Sequence, residues 1–253
     1  MDYFDRPALK QETKRLMRQA SPNIYLVSLL FLALSNLPTI IMQRDLYPAL
    51  LNSGGSWDQM MEIYQSWSLN NSGTALTVAS YVMQVFLLFV GFGYTLYCLY
   101  VSRSEENGGF STLFSGFSQF WRVMCVAILQ YVFVFLWSLL FIVPGIIKGM
   151  AYSQAYRIMM DNPDMSALDC ITASKELMQG HKWDYFVLQL SFLGWSIVAA
   201  FTFGILLIWL QPYIETSNAG FYNDLCGWTP EAEEPEDAPA PDDRPSVDDY
   251  WKN

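Results

Sequence analysis

The sequence predicts an all-α fold: a polytopic membrane helix bundle of six transmembrane helices with short interfacial helices, both termini in the cytoplasm. Three observations predict it. Only 15% of the 253 residues are charged, against 53% hydrophobic and 16% aromatic, whereas a soluble domain carries about 25% charged residues. No Asp, Glu, Lys or Arg occurs from Val123 to Ile147 or from Tyr185 to Ile214, and uncharged apolar runs of that length read as membrane spans. Finally, six crossings keep nearly all basic loop residues on one side, as the positive-inside rule requires, and four do not.

The net charge of −10 is mainly a property of the last segment. Residues Thr229 to Asn253 hold nine acidic and two basic residues, so −7 of the total lies there. With five prolines and almost no apolar residues, residues 229–253 cannot bury a core and are expected to form a disordered acidic cytoplasmic tail. Cys98, Cys125, Cys170 and Cys226 show no CxxC or matched pairing, and His181 is the single histidine. Neither a disulfide framework nor a metal site is expected. The first apolar run is too long for a signal-peptide core and lacks a small-x-small cleavage site, so it reads as a retained span.

Residues 1–20 form the first unit. From Arg6 to Gln19, Leu9, Leu16, Met17 and Ala20 share a helical face, and Lys10, Lys14, Arg15 and Arg18 cover much of the rest. The pattern fits a basic amphipathic helix at a headgroup surface or, equally, a solvated basic leader. Either way, five basic residues before the first span place the N-terminus in the cytoplasm.

Residues 21–228 form the membrane domain. The first span covers about Pro22 to Met42, with a kink expected at Pro38. An outer loop, 43–73, has Arg44 as its only basic residue. Within it, "SWDQ" at Ser56–Gln59 has capping-box spacing, and Trp57, Met60, Met61, Tyr64 and Trp67 recur at helical intervals. This reads as a short helix on the outer leaflet or as a lid over the bundle. The second span covers about Leu76 to Tyr100, with Gly91 and Gly93 permitting close approach of a neighbour. The third covers about Phe120 to Val143, with Trp121 and Trp137 near its ends.

The Pro144-Gly145 pair decides the count. If it only kinked a long helix, Lys148, Arg157, Lys175 and Lys182 would fall in one outer segment, against the positive-inside rule. If it is a hairpin turn, a fourth span of about Ile146 to Met160 returns the chain inward. That span is slightly short for the hydrocarbon core at 1.5 Å per residue. The same logic places a turn at Thr202–Gly204, between a fifth span (Trp183 to Phe201) and a sixth (Ile205 to Tyr222). A cytoplasmic interfacial helix, 164–180, is signalled by the Ser166-x-x-Asp169 cap and a stop at Gly180. "LWSLLFIVPGI" and "GWSIVAAFTFGI" form a faint internal repeat.

The segments "IVPGIIKGMAYSQAYRIMMDNP", "SKELMQGHK", "LSFLGW", "FTFGI" and "LQPYIETSNAGFY" occur in that order. As a set they resemble a family of multi-pass membrane proteins of Gram-positive bacteria, catalogued as domain of unknown function nine-seven-five. The likeness runs from the basic N-terminal helix to about Leu225 and is strongest from Leu136. It implies a bacterial plasma-membrane location and no mechanism. By motif, it singles out Lys148, Tyr152, Ser153, Asp161, Asn162, Ser174, His181, Pro212, Tyr213 and Tyr222.

The chain's own pattern adds Pro144, Gly145, Arg157 and Glu215. Arg157 lies twelve residues past Gly145 and Glu215 eleven past Gly204, so both sit ~17 Å from the turns that precede them. They can pair across two hairpins or snorkel separately, and separate snorkelling is slightly favoured.

No Asp pair, Ser–His pair, zinc motif or Gly-rich phosphate loop is present in the spans, so the chain is not expected to be an enzyme or to hold a cofactor. The expected function is that of a scaffold or accessory membrane protein acting through membrane or protein partners. A carrier or lipid-handling protein with a lining of Tyr152, Ser153, Gln154, Tyr156 and Gln189 is the alternative. The expected partners are the lipid bilayer and, for the acidic tail, a basic protein surface, with no nucleic acid.

Overall fold

A computed structural model of the chain describes residues 4–20, 23–44, 46–52, 54–71, 75–105, 109–202 and 204–228. The acidic tail predicted over 229–253 lies outside the described residues. Among those described, every regular element is helical. Three helices are long and apolar enough to cross a membrane, in Thr77–Arg103, Phe120–Leu140 and Lys182–Phe201.

Helix α1, Arg6–Gln19, is capped by Asp5, whose side chain accepts from Ala8 N–H. Its bounds are those expected. The face carrying Leu9, Thr13 and Met17 is buried against protein, and Lys14, Arg15 and Arg18 are exposed. Leu9 seats against Gly220, where a methyl group would lie 2.6 Å from the leucine Cδ1. Helix α2, Ile24–Gln43, leaves α1 at an angle of 91°. Helices α3 (Leu46–Leu51) and α4 (Trp57–Asn71) fill the predicted outer loop.

Helix α5, Ala75–Arg103, is the central post. It pairs with α2 through Ser28 and Tyr94, whose hydroxyls lie 2.7 Å apart, and through the stacked rings of Phe31 and Tyr94 at 4.4 Å. The neighbour that Gly93 admits is a 3₁₀ segment, Gly109–Phe117, rather than a membrane helix. A methyl at Gly93 would lie 2.2 Å from the Leu113 carbonyl oxygen, so any side chain there would push the two backbones apart.

Helix α6, Phe120–Leu140, and α7, Ile142–Ala151, form a tight hairpin. Residues seven apart on a continuous helix are ~10.5 Å apart. Here a methyl at Gly145 would touch Ser138 Cα at 2.9 Å, so the chain has reversed. The Trp137 ring lies under Lys148 and the Phe133 ring beside Tyr152, which extends the antiparallel pairing. The expected reversal is present, but its pivot is Phe141, the one extended residue between the helices (φ −159°, ψ 146°). Pro144 lies instead in the first turn of α7, where its missing N–H costs nothing, and Gly145 supplies the close approach.

The predicted fourth span is also not one helix. It is interrupted between α7 and α8, Ala155–Asp161, at Tyr152–Gln154. Helix α9, Ala167–Leu177, has the predicted cap, with Ser166 accepting from Asp169 N–H. It buries Cys170, Ile171, Ala173 and Ser174 against the bundle and leaves Leu168, Asp169, Thr172 and Lys175 exposed. Helix α10, Lys182–Phe201, and α11, Leu207–Leu225, flank the expected turn, with Gly204 at φ +82°. Gln189 Nε2 donates to Asn218 Oδ1 at 2.6 Å, and Phe192 meets Tyr213 at 5.4 Å. Those pairs run antiparallel from that turn.

Candidate functional site

The break between α7 and α8 leaves the Ala151 carbonyl and the Gln154 N–H without helical partners. Ser174 supplies both. Its hydroxyl donates to Ala151 O at 2.8 Å and accepts from Gln154 N–H at 3.1 Å. The residue is fully buried, so a third helix stitches the interruption with one side chain. In an apolar interior, an unpaired backbone group costs about 1–3 kcal/mol, which is why the break needs a polar residue at that place.

Just beyond the break, Arg157 and Glu215 meet. Arg157 Nη2 lies 3.2 Å from Glu215 Oε2, and their side chains are 6% and 22% exposed. Pairing, and not separate snorkelling, is the arrangement found. Arg157 Nη1 also donates to Gln154 Oε1 at 3.2 Å, and Gln154 Nε2 donates to Ser153 Oγ at 2.9 Å. Arg157 Nε is buried with no hydrogen-bond partner among the described residues. The chain Glu215–Arg157–Gln154–Ser153 thus ties α11 to the α7–α8 break.

A second ion pair is tighter. Arg103, the last residue of α5, forks onto Asp161, the last residue of α8, with Nη1 to Oδ1 at 2.8 Å and Nη2 to Oδ2 at 2.7 Å. The Tyr222 hydroxyl donates to Asp161 Oδ2 at 2.7 Å. Arg103 Nε donates to Asn223 Oδ1 at 3.0 Å, and Asn223 Nδ2 donates to Ser102 Oγ at 3.0 Å. Parallel charge-assisted bonds of this length are the strong kind. Three helices, α5, α8 and α11, end on one network, which borders a cleft of about 550 Å³ shared with α1. Arg122 extends it by donating to the carbonyls of Asn162 and Met165 at 3.0 and 2.9 Å.

The remaining predicted positions scatter. Lys148 Nζ sits 4.5 Å over the Trp137 ring at the α6–α7 hairpin. His181 is half-exposed, with Nδ1 3.7 Å from Asp184. Pro212 is buried inside α11, and Tyr213 faces Phe192 and Lys14. Asn162 bonds its own helix, through Nδ2 to Ile158 O. The structure therefore gathers Asp161 with Tyr222, Arg157 with Glu215 and Ser153, and Ser174 with the break, which begins at Tyr152. Sequence reasoning missed Arg103, Asn223, Ser102 and Arg122 as partners. Among the described residues, no group of three or more His, Cys, Asp or Glu side chains could hold a metal ion.

The fold and this interior define an all-helical protein with helices suited to a membrane and charged side chains paired between them. Residues 139–227 match the model of a family described as Protein of unknown function (DUF975). This is the family that the motifs of the sequence resemble, and the matched segment contains every predicted site residue from Pro144 to Tyr222. No curated protein and no solved structure matches the chain.

Proposed function

We propose that the protein is a multi-pass protein of the bacterial plasma membrane, with six crossings and both ends in the cytoplasm. In this reading α2, α5, α6, α7–α8, α10 and α11 are the six crossings, and the protein acts as a non-catalytic scaffold or accessory through membrane and protein partners. The observation that carries the reading is the commitment of interior charges to one another. Arg103–Asp161 and Arg157–Glu215 each join different helices. Fixing helix register is the best-attested use of a buried pair, and it is the role a scaffold asks of these two. The acidic tail adds a surface suited to a basic protein partner.

A lipid-handling role is the second reading. It is favoured by a laterally open groove between α1 and the α10–α11 hairpin that is lined by cations and aromatic rings.

Photoreactive residues placed in the tail and at the exposed Leu168 of α9 test the first reading in cells. The expected result is one discrete protein adduct that disappears when the nine tail carboxylates are neutralised. Lipid adducts alone, with lipid movement in proteoliposomes, would instead establish the second.

A further inference from the structure

Helix α1 presents Lys10, Lys14 and Arg18 at i, i+4 and i+8, all lining a groove of about 440 Å³. The opposite wall is Trp195, Trp209 and Tyr213, with Leu206 and Leu210 beneath. Among the described residues, no carboxylate lines it and none of the three cations has an ion pair. The acidic residue of α1, Glu12, pairs with Arg15 instead, at 3.7 Å.

Two of the cations contact the α10–α11 hairpin. Lys10 Nζ is 2.5 Å from Ser191 Oγ and 4.5 Å from the Phe192 ring centroid. Lys14 Nζ lies 5.6 Å from the Tyr213 ring centroid. Burial, then the neighbouring charges of Lys14 and Arg6, lower the Lys10 pKa.

Depth makes this arrangement informative. Ser191 is near the middle of α10, which runs from Lys182 to Phe201, so it lies ~14 Å from either end at 1.5 Å per residue. If α10 crosses the bilayer, Lys10 lies at the depth of the acyl chains. Cations at such depth pair, or meet a counter-charge in a wet cavity. The interior arginines Arg103 and Arg157 have their own carboxylates, and among the described residues these three cations do not. The groove also opens sideways past Trp195 and Trp209, which are 58% and 52% exposed. An anion that fits must therefore bring an apolar part to cover those rings.

We propose that this groove draws the phosphate of an anionic phospholipid below the headgroup level onto Lys10, Lys14 and Arg18, with its acyl chains lying over Trp195, Trp209 and Leu206. The proposal rests on α10 spanning the membrane, and it gives the lipid-handling reading its site and substrate class.

Native mass spectrometry of the full chain in neutral detergent, titrated with phosphatidylglycerol or phosphatidylcholine, tests it. One phosphatidylglycerol should be retained in preference to phosphatidylcholine. In the triple variant Lys10→Gln, Lys14→Gln, Arg18→Gln its affinity should fall roughly tenfold or more. Arg15→Gln, on the other side of α1, should keep the preference, and Lys14→Arg should restore binding to a Lys14→Gln protein. An equal loss in Arg15→Gln, or an unchanged preference in the triple variant, would overturn the proposal. So would displacement of the lipid by inorganic phosphate alone, which would identify a free-anion site. If the triple variant does not fold, the same comparison is made with Lys14→Glu. Labelling that placed both ends of α10 on one side would remove the spanning premise, and is read separately from lipid retention.

Discussion

Asp161→Asn removes one charge from the tightest interior contact and keeps its shape. The Arg103 and Asp161 side chains are 11% and 17% exposed and joined by two short bonds, so the arginine would be left charged and poorly compensated. Breaking a buried pair by removing one partner costs about 3–5 kcal/mol. Asn223 still accepts from Arg103 Nε and the asparagine oxygen still accepts from Tyr222, and the site borders a wet cleft. The lower end, about 3 kcal/mol, is therefore the expected cost. For a domain of this size, 1 kcal/mol moves the melting temperature by about 2–4 °C, so the midpoint should fall by about 6–12 °C. The assay is thermal unfolding in neutral detergent, followed by near-ultraviolet circular dichroism. Arg103→Gln combined with Asp161→Asn should recover a good part of the loss, because it removes the stranded charge. A shift below about 2 °C for Asp161→Asn would refute the reasoning, since only a well-solvated pair costs so little.

Three further outcomes follow from the same structure. Ser174→Ala leaves Ala151 O and Gln154 N–H unpaired in the α7–α8 break. It should cost about 1–3 kcal/mol per stranded group, read as a lower melting temperature and faster amide exchange at 151–154. Arg157→Glu and Glu215→Arg should each lower yield and melting temperature, with the double swap recovering part of both. Two harmless single reversals would contradict the pairing. Burial pushes the Cys226 thiol up from 9.0 to about 11. Only the thiolate attacks a maleimide, so its labelling should be slow at neutral pH and rise about tenfold per pH unit below 11. Fast labelling at pH 7 would show that Cys226 is open to water.

Much of the architecture was legible because it repeats along the chain. The α1 bounds, the α4 helix and the two reversals all follow from helical period and charge. The Arg157–Glu215 contact was within reach because equal depth past two turns can be counted on the sequence. What was not legible depends on contacts between distant segments. Arg103 stands at the end of an apolar run and Asp161 before an Asn-Pro stop, and each reads as an ordinary boundary charge. Only the packing of α5, α8 and α11 brings them together. That both are isolated charges bordering apolar segments was the available signal. The break at Tyr152–Gln154 was missed for a related reason. Nothing local interrupts "IIKGMAYSQAYRIMM", and the interruption is made tolerable by a hydroxyl from twenty residues away. For α1, the period marked Leu9 and Met17 as one face, but not that this face would find Gly220 and the side of α11.

Single cysteines read with a membrane-impermeant maleimide in intact cells, in a background with Cys98, Cys125, Cys170 and Cys226 replaced by serine, test the central claim most directly. Six crossings with cytoplasmic ends predict that cysteines at Ser166 and Gln179 react only after the cells are opened. One at Ser66 in α4 should react from outside. Labelling of Ser166 in intact cells, or protection of Ser66 until lysis, would contradict the six-span reading.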